Sequence, residues 1–109
     1  MGGTQSHWNC RVEGSGERPT LVLAGAMDLA SADMLRTFFV QTAEQASGIE
    51  VDLEHVTFLD SAGIHALVVG RNTALAHGNT FVVTRMSEPV RSVLRVTGLL
   101  NALTRPARL

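Results

Sequence analysis

IEVDLEHVTFLDSAGIHALVVGR, residues Ile49 to Arg71, reads as a strand, a short turn and then a helix. Ile49, Val51 and Leu53 alternate with Glu50 and Asp52, the period of a strand with one buried face. Val56, Phe58 and Leu59 carry apolar bulk up to the turn. Beyond it, Ile64, Leu67, Val68, Arg71 and Leu75 follow helical spacing, four of the five apolar. Asp60-Ser61-Ala62-Gly63 lies where the period changes from 2 to 3.6.

A helix starts with backbone N–H groups that have no partner within the helix. Ser61 is placed to cap them with its hydroxyl, and Ser is among the commonest caps. The same N–H groups and the helix dipole favour an anion, so a phosphate on Ser61 is compatible with the fold. Ala62 and Gly63 are small, which predicts an open surface beside Ser61. Asp60 adds a neighbouring negative charge that would repel such a phosphate unless both stay solvated. A cap alone identifies no function.

Working outward, Trp8, Cys10 and Val12 alternate with Asn9 and Arg11, and Thr20 to Ala24 is a nearly continuous apolar strand of the kind buried on both faces. Between them, Glu13-Gly14-Ser15-Gly16-Glu17-Arg18-Pro19 is a turn-rich loop, so the two strands are expected to form a hairpin. Ser31 is the expected cap of a first helix with Met34, Leu35, Phe38, Phe39, Thr42, Ala43 and Ala46 as its stripe, ended by Ser47-Gly48. Ala76 to Asn79 stops the second helix. Thr80 to Thr84 is a buried strand, and Ser87-Glu88-Pro89 opens a third helix that Gly98 closes. The order β-β-α-β-α-β-α predicts an α/β fold: a mixed, mostly parallel sheet of four or five strands packed with three helices. Residues 1–6 are expected to be loose, 7–104 to form one domain, and 105–109 to be a short tail.

The 109 residues carry a net charge of −1, which gives no general electrostatic pull toward nucleic acid or an anionic membrane surface. No apolar run approaches the length of a membrane span, and the first residues lack the pattern of a signal peptide. Cys10 is the one cysteine, so no internal disulfide forms, in keeping with a reducing cytoplasmic setting. His7, His55 and His77 are scattered without ligand spacing, and no Walker or Rossmann glycine pattern is present. No metal and no cofactor is therefore expected. Ser61 and His65 share a helix face, yet Asp60 precedes Ser61 instead of orienting the far side of His65, and no nucleophile elbow is present. The expectation is a protein that is not an enzyme, with His65 exposed on the Ser61 face.

Val56 to Ile64, V-T-F-L-D-S-A-G-I, resembles the signature of the STAS domain, and in particular of bacterial anti-sigma factor antagonists. Gly25-Ala26-Met27-Asp28 and Val96-Thr97-Gly98-Leu99 are similar, in order and spacing, to two further segments of that family, with Ala26 standing where the family has Glu. The resemblance covers about Leu21 to Leu100 and implies that Ser61 is phosphorylated by a serine kinase that is itself the anti-sigma factor. It implies a partner-facing surface of Asp28, Asp60, Ala62, Gly63, Ile64 and His65, bound only when Ser61 is unmodified, and a phosphatase that restores it. Asp28 is expected near the Ser61 turn, because adjacent parallel strands end on the same side; it is equally read as a turn former or a helix-entry carboxylate. Met27 is either a partner contact or a core residue. The alternative within the same family is a scaffold or transport-complex subunit with no live switch. The family also has a further strand and a closing helix after Leu100; this chain has room for the strand only, which leaves a sheet edge or helical face for a partner.

Overall fold

A computed structural model of the protein describes residues 8–14 and 18–105. The expected loose residues 1–6, His7, the Ser15-Gly16-Glu17 part of the first loop and the end of the tail, 106–109, lie outside the described residues. The elements are β1 (Trp8–Glu13), β2 (Thr20–Met27), α1 (Leu29–Gln45), β3 (Gly48–Leu59), α2 (Ser61–Ala76), β4 (Thr80–Met86), α3 (Glu88–Thr97) and α4 (Leu100–Thr104). One four-stranded sheet has the order β1-β2-β3-β4, with β1 antiparallel to β2 and the other pairs parallel. This is the expected α/β architecture with one short helix added. Right-handed connections are near-universal, and two of them stepping the same way put α1 and α2 on one face. The two helices pack closely on each other.

The strands read as their sequences dictate, with one irregularity that shapes the site. On β3, Ile49, Val51 and Leu53 are buried and Glu50 and Asp52 half-buried; on β4, Phe81 and Val83 are buried and Thr84 is exposed. Farther along β3 the pairing with β2 slips twice: Val22 faces Asp52 while Ala24 faces His55, and Gly25 faces Val56 while Ala26 faces Phe58. Each slip inserts one extra residue into β3, as a β-bulge does. The buried positions therefore step from Leu53 to Val56 to Leu59, three apart, and Phe58 turns outward at 51% exposure.

The buried face of α2 is Gly63, Ala66, Leu67, Gly70 and Ala74, rotated from the stripe that large apolar residues suggested. Small residues lie here because α1 crosses close by: a Cβ on Gly70 would stand 2.9 Å from both Cβ and Cγ of Phe39. Phe39 in turn meets Phe81 edge-to-face, ring centroids 5.6 Å apart, so one aromatic pair joins α1 to β4. On α1, Leu35, Phe39 and Ala43 point inward, while Met34, expected in the stripe, is exposed and lines a cavity of about 440 Å³ with Trp8, Cys10 and Phe38. Gly48 does not end α1 but opens β3. The last carbonyls of α1 are met instead by Asn79, whose Nδ2 donates to Ala43 at 2.9 Å and Ala46 at 2.6 Å.

At the C-terminal end, Gly98 adopts the left-handed conformation (φ 79°) and Leu99 N–H donates back to Leu94 C=O at 2.9 Å, the Schellman closure. The chain then forms α4 where a strand was expected. Leu99, Leu100 and Leu103 fall on helical spacing, and Leu103 is buried in the common core. Among the described residues no helix is long and apolar enough to cross a membrane, and no three His, Cys, Asp or Glu gather as a metal site.

Gly70→Ala should lower stability by about 1–3 kcal/mol, the usual cost of forcing a methyl group into a packed contact, measured by urea denaturation. Burial pushes the Cys10 thiol from 9.0 up to about 12. Well below pH 9 the thiol is almost wholly protonated in both folded and unfolded chains. Between about 9 and about 12 only the unfolded thiol ionises, so this group's contribution to stability is lost as pH rises through that window. At pH 8, iodoacetamide should label Cys10 at least about tenfold faster in urea-unfolded than in folded protein, since the thiolate is the reactive form.

Candidate functional site

Strands β2 and β3 end side by side, with Met27 opposite Leu59. The pairing runs one step past the strands: Asp60 N–H donates to Met27 C=O at 3.2 Å. Both strands then turn at once into helices, so the N-termini of α1 and α2 open beside each other. Two aspartates serve them. Asp28 is the N-cap of α1; its Oδ1 accepts from Ala30 N–H at 3.1 Å and Ser31 N–H at 3.2 Å. Ser31 Oγ returns the bond by accepting from Asp28 N–H at 3.0 Å. Ser31, expected to be the cap, is thus the third helical residue of a capping box, and it is buried.

Asp60 is the N-cap of α2, and its carboxylate has two arms. Oδ1 accepts from Gly63 N–H at 3.0 Å, within its own helix start. Oδ2 accepts from Leu29 N–H at 3.2 Å, the first residue of α1. The expectation that Ser61 caps α2 is corrected by this geometry. The helix begins at Ser61 itself, and the charged Asp60 one residue earlier takes the capping position with stronger, charge-assisted bonds. Ser61 is left exposed at the first helical position. Among the described residues neither its hydroxyl nor the His65 ring has a hydrogen-bond partner.

The residues singled out in the sequence separate into two groups. Ser61 and His65 are exposed, and Asp28, Asp60, Ala62 and Ile64 are half-buried. These six are brought together at the carboxyl end of β2 and β3. Gly63 is not part of the open surface: it is buried, and a Cβ there would run into the Met27 carbonyl oxygen and lie 2.8 Å from Leu59 Cδ1. Its small size lets α2 start against the backbone of β2. Met27 is a core residue at 1% exposure. Two apolar residues at this end escaped the sequence reading, Leu29 at 79% and Phe58 at 51% exposure. Leu29 directly follows the Asp28 cap, so recognising that cap would have flagged it. Phe58 lies on the outward phase that the alternation of Ile49, Val51 and Leu53 already sets, the two bulges cancelling in phase.

Chemically, the turn offers a free hydroxyl, two helix N-termini whose partial positive charge is balanced by two carboxylates, and apolar groups at the margin. No base is held against Ser61. The arrangement suits a hydroxyl that accepts a group from elsewhere.

One protein family, described as "Mlab, STAS domain", matches residues 10–105. The anti-sigma-B factor antagonist of Bacillus subtilis (strain 168) is 30% identical over 77 residues, which are 71% of this chain and 71% of that protein. Among solved structures, the anti-sigma factor antagonist SpoIIAA in its unphosphorylated form superposes with a TM-score of 0.76 at 18% identity, covering 92% of this chain and 89% of that one. An anti-sigma factor antagonist from Mycobacterium paratuberculosis does so with a TM-score of 0.76 at 22% identity, covering 88% and 82%.

Asp60→Ala should cost about 1–2 kcal/mol, because two main-chain N–H groups lose their acceptor. Ser61→Ala should stay within about 0.5 kcal/mol, as an exposed side chain without partners does. Urea denaturation of the two variants measures the difference, and equal losses would mean that Ser61 shares the capping.

Proposed function

The chain belongs to the STAS domain family, and from that premise we propose that it is an anti-sigma factor antagonist switched at Ser61. Unmodified, it docks the Ser61 face onto a cognate anti-sigma factor that is also a serine kinase, and the sigma factor is freed for transcription. The single observation that carries the reading is the exposed, uncommitted Ser61 hydroxyl at the first position of α2, beside an aspartate that already caps the helix.

The kinase moves the γ-phosphoryl group of ATP to Ser61 Oγ. The bond from that phosphorus to the ADP oxygen breaks, a bond from phosphorus to Oγ forms, and the hydroxyl proton passes to a base of the kinase and on to solvent. A separate phosphatase hydrolyses the ester. The chain itself is the substrate and supplies no catalytic group. It acts in the cytoplasm, without membrane or direct nucleic-acid contact and without a cofactor.

The physics of the switch is local. The phosphate adds about −1.5 to −2 charges at neutral pH. Within the domain they sit at a helix N-terminus, next to solvent, where an anion is tolerated. A partner surface packed over Ala62, Ile64 and His65 would have to strip water from them and from Asp28 and Asp60 together. Binding is lost while the fold is kept. Because Asp60 and not Ser61 caps the helix, modifying Ser61 removes no bond that holds α2.

Two purified baits, Ser61→Ala and Ser61→Asp, test the proposal in a pull-down from the native cytoplasm, followed by titration of the captured protein. The Ala bait should retain a kinase-like anti-sigma factor, and the Asp bait should bind it at least about tenfold more weakly, a difference of roughly 1.4 kcal/mol. Equal retention of the same partners by both baits would overturn it in favour of a scaffold without a switch.

A further inference from the structure

Resting on the reading of Ser61 as the phosphorylated residue, we infer that the Asp60 carboxylate transmits the phosphate's effect to the start of α1, so that Leu29 belongs to the regulated surface. The observation behind this is that one carboxylate holds the first turns of two helices. Oδ1 is bonded to Gly63 N–H and Oδ2 to Leu29 N–H. The residue that takes the phosphate is the next one along the chain.

A phosphate on the first residue of a helix reaches for the N–H groups of that same turn. Gly63 N–H is among them, and Asp60 Oδ1 already occupies it. Two anions then share one set of donors at close range, in a setting where each repels the other. The carboxylate yields at its weaker arm. The bond to Gly63 is 3.0 Å and part-buried, whereas the bond to Leu29 is 3.2 Å and exposed. The Leu29 arm therefore opens first.

The consequence at α1 is confined to its first residue. Ala30 and Ser31 N–H groups are held by Asp28, not by Asp60, so the capping box survives. Leu29 loses its only acceptor among the described residues, and its side chain is the most exposed apolar group at this end of the sheet. An unmodified protein thus presents Leu29 in a fixed position, and a phosphorylated one presents it loose. Asp60 is a positioning residue here: it acts on the surface through the Leu29 amide.

The test uses the full chain with phosphoserine installed at position 61 during translation, so that it needs no kinase and stands whether or not the pull-down finds an anti-sigma factor. The exchange of the Leu29 amide with water is measured by NMR magnetisation transfer in unmodified and phosphorylated protein. Phosphorylation should speed Leu29 exchange about fivefold, the equivalent of one lost hydrogen bond, and leave Ala30 and Ser31 unchanged. In Asp60→Asn the neutral amide is not repelled by the phosphate, and the phosphorylated-to-unmodified ratio should fall to near one. A merely structural Asp60 would raise Leu29 exchange in the variant and leave the phosphate-dependent ratio intact. Unchanged Leu29 exchange in the phosphorylated wild-type chain overturns the inference, with no variant needed. So does a phosphate-dependent ratio that persists in Asp60→Asn.

Discussion

Parallel strands that end together force the helices that follow them to begin together, and the first turns of two helices then crowd their unpartnered N–H groups into one corner. In this protein the corner is made possible by Asp60. Its carboxylate accepts from Gly63 in one helix and from Leu29 in the other, while Asp28 serves the rest of α1. An unsatisfied N–H costs about 1–3 kcal/mol when it is buried, so a close pair of helix starts needs acceptors of this kind. With a carboxylate already capping each helix start, the exposed Ser61 hydroxyl is not needed as a cap.

The rest of the fold supports the same corner from below. The two bulges in β3 let Val56 and Leu59 both face the helices although they are three residues apart, and they bring the end of β3 level with Met27. Ser87 steadies the bulged region from the other side, its hydroxyl donating to the Val56 carbonyl at 2.6 Å and its N–H to Leu53 at 3.2 Å. The small face of α2 and the Phe39–Phe81 pair fix how α1 lies across α2, and so how far apart their first turns can be.

Much of this was legible in the sequence. The switch of hydrophobic period at residues 60–63, the glycine and proline punctuation around α3, and the alternation of strands with helices gave the order of elements and the place of the turn. What escaped was whatever depends on contacts between distant segments. Choosing Asp60 over Ser61 as cap, and Asp28 over Ser31, turns on where the backbone first becomes helical, which neighbouring strands decide. The buried face of α2 could not be found by looking for large apolar residues, because close helix packing selects small ones. Val56 is out of phase with Ile49, Val51 and Leu53, and only the bulged register against β2 brings it inward. The helix at Leu100–Thr104 depends on Leu103 finding room in a core assembled from the whole chain.

Gly63 has a wider consequence. The start of α2 is set by the Asp60 cap and by backbone lying against backbone, Gly63 on the carbonyl of Met27, and not by the side chain of Ser61. Position 61 is therefore a socket whose shape is independent of what fills it. A threonine, a cysteine or an unnatural acidic residue could occupy it without moving the helix. Length is what the socket cannot tolerate: one residue inserted or removed between Leu59 and Gly63 would carry the glycine off the carbonyl and close the gap that gives the turn its form.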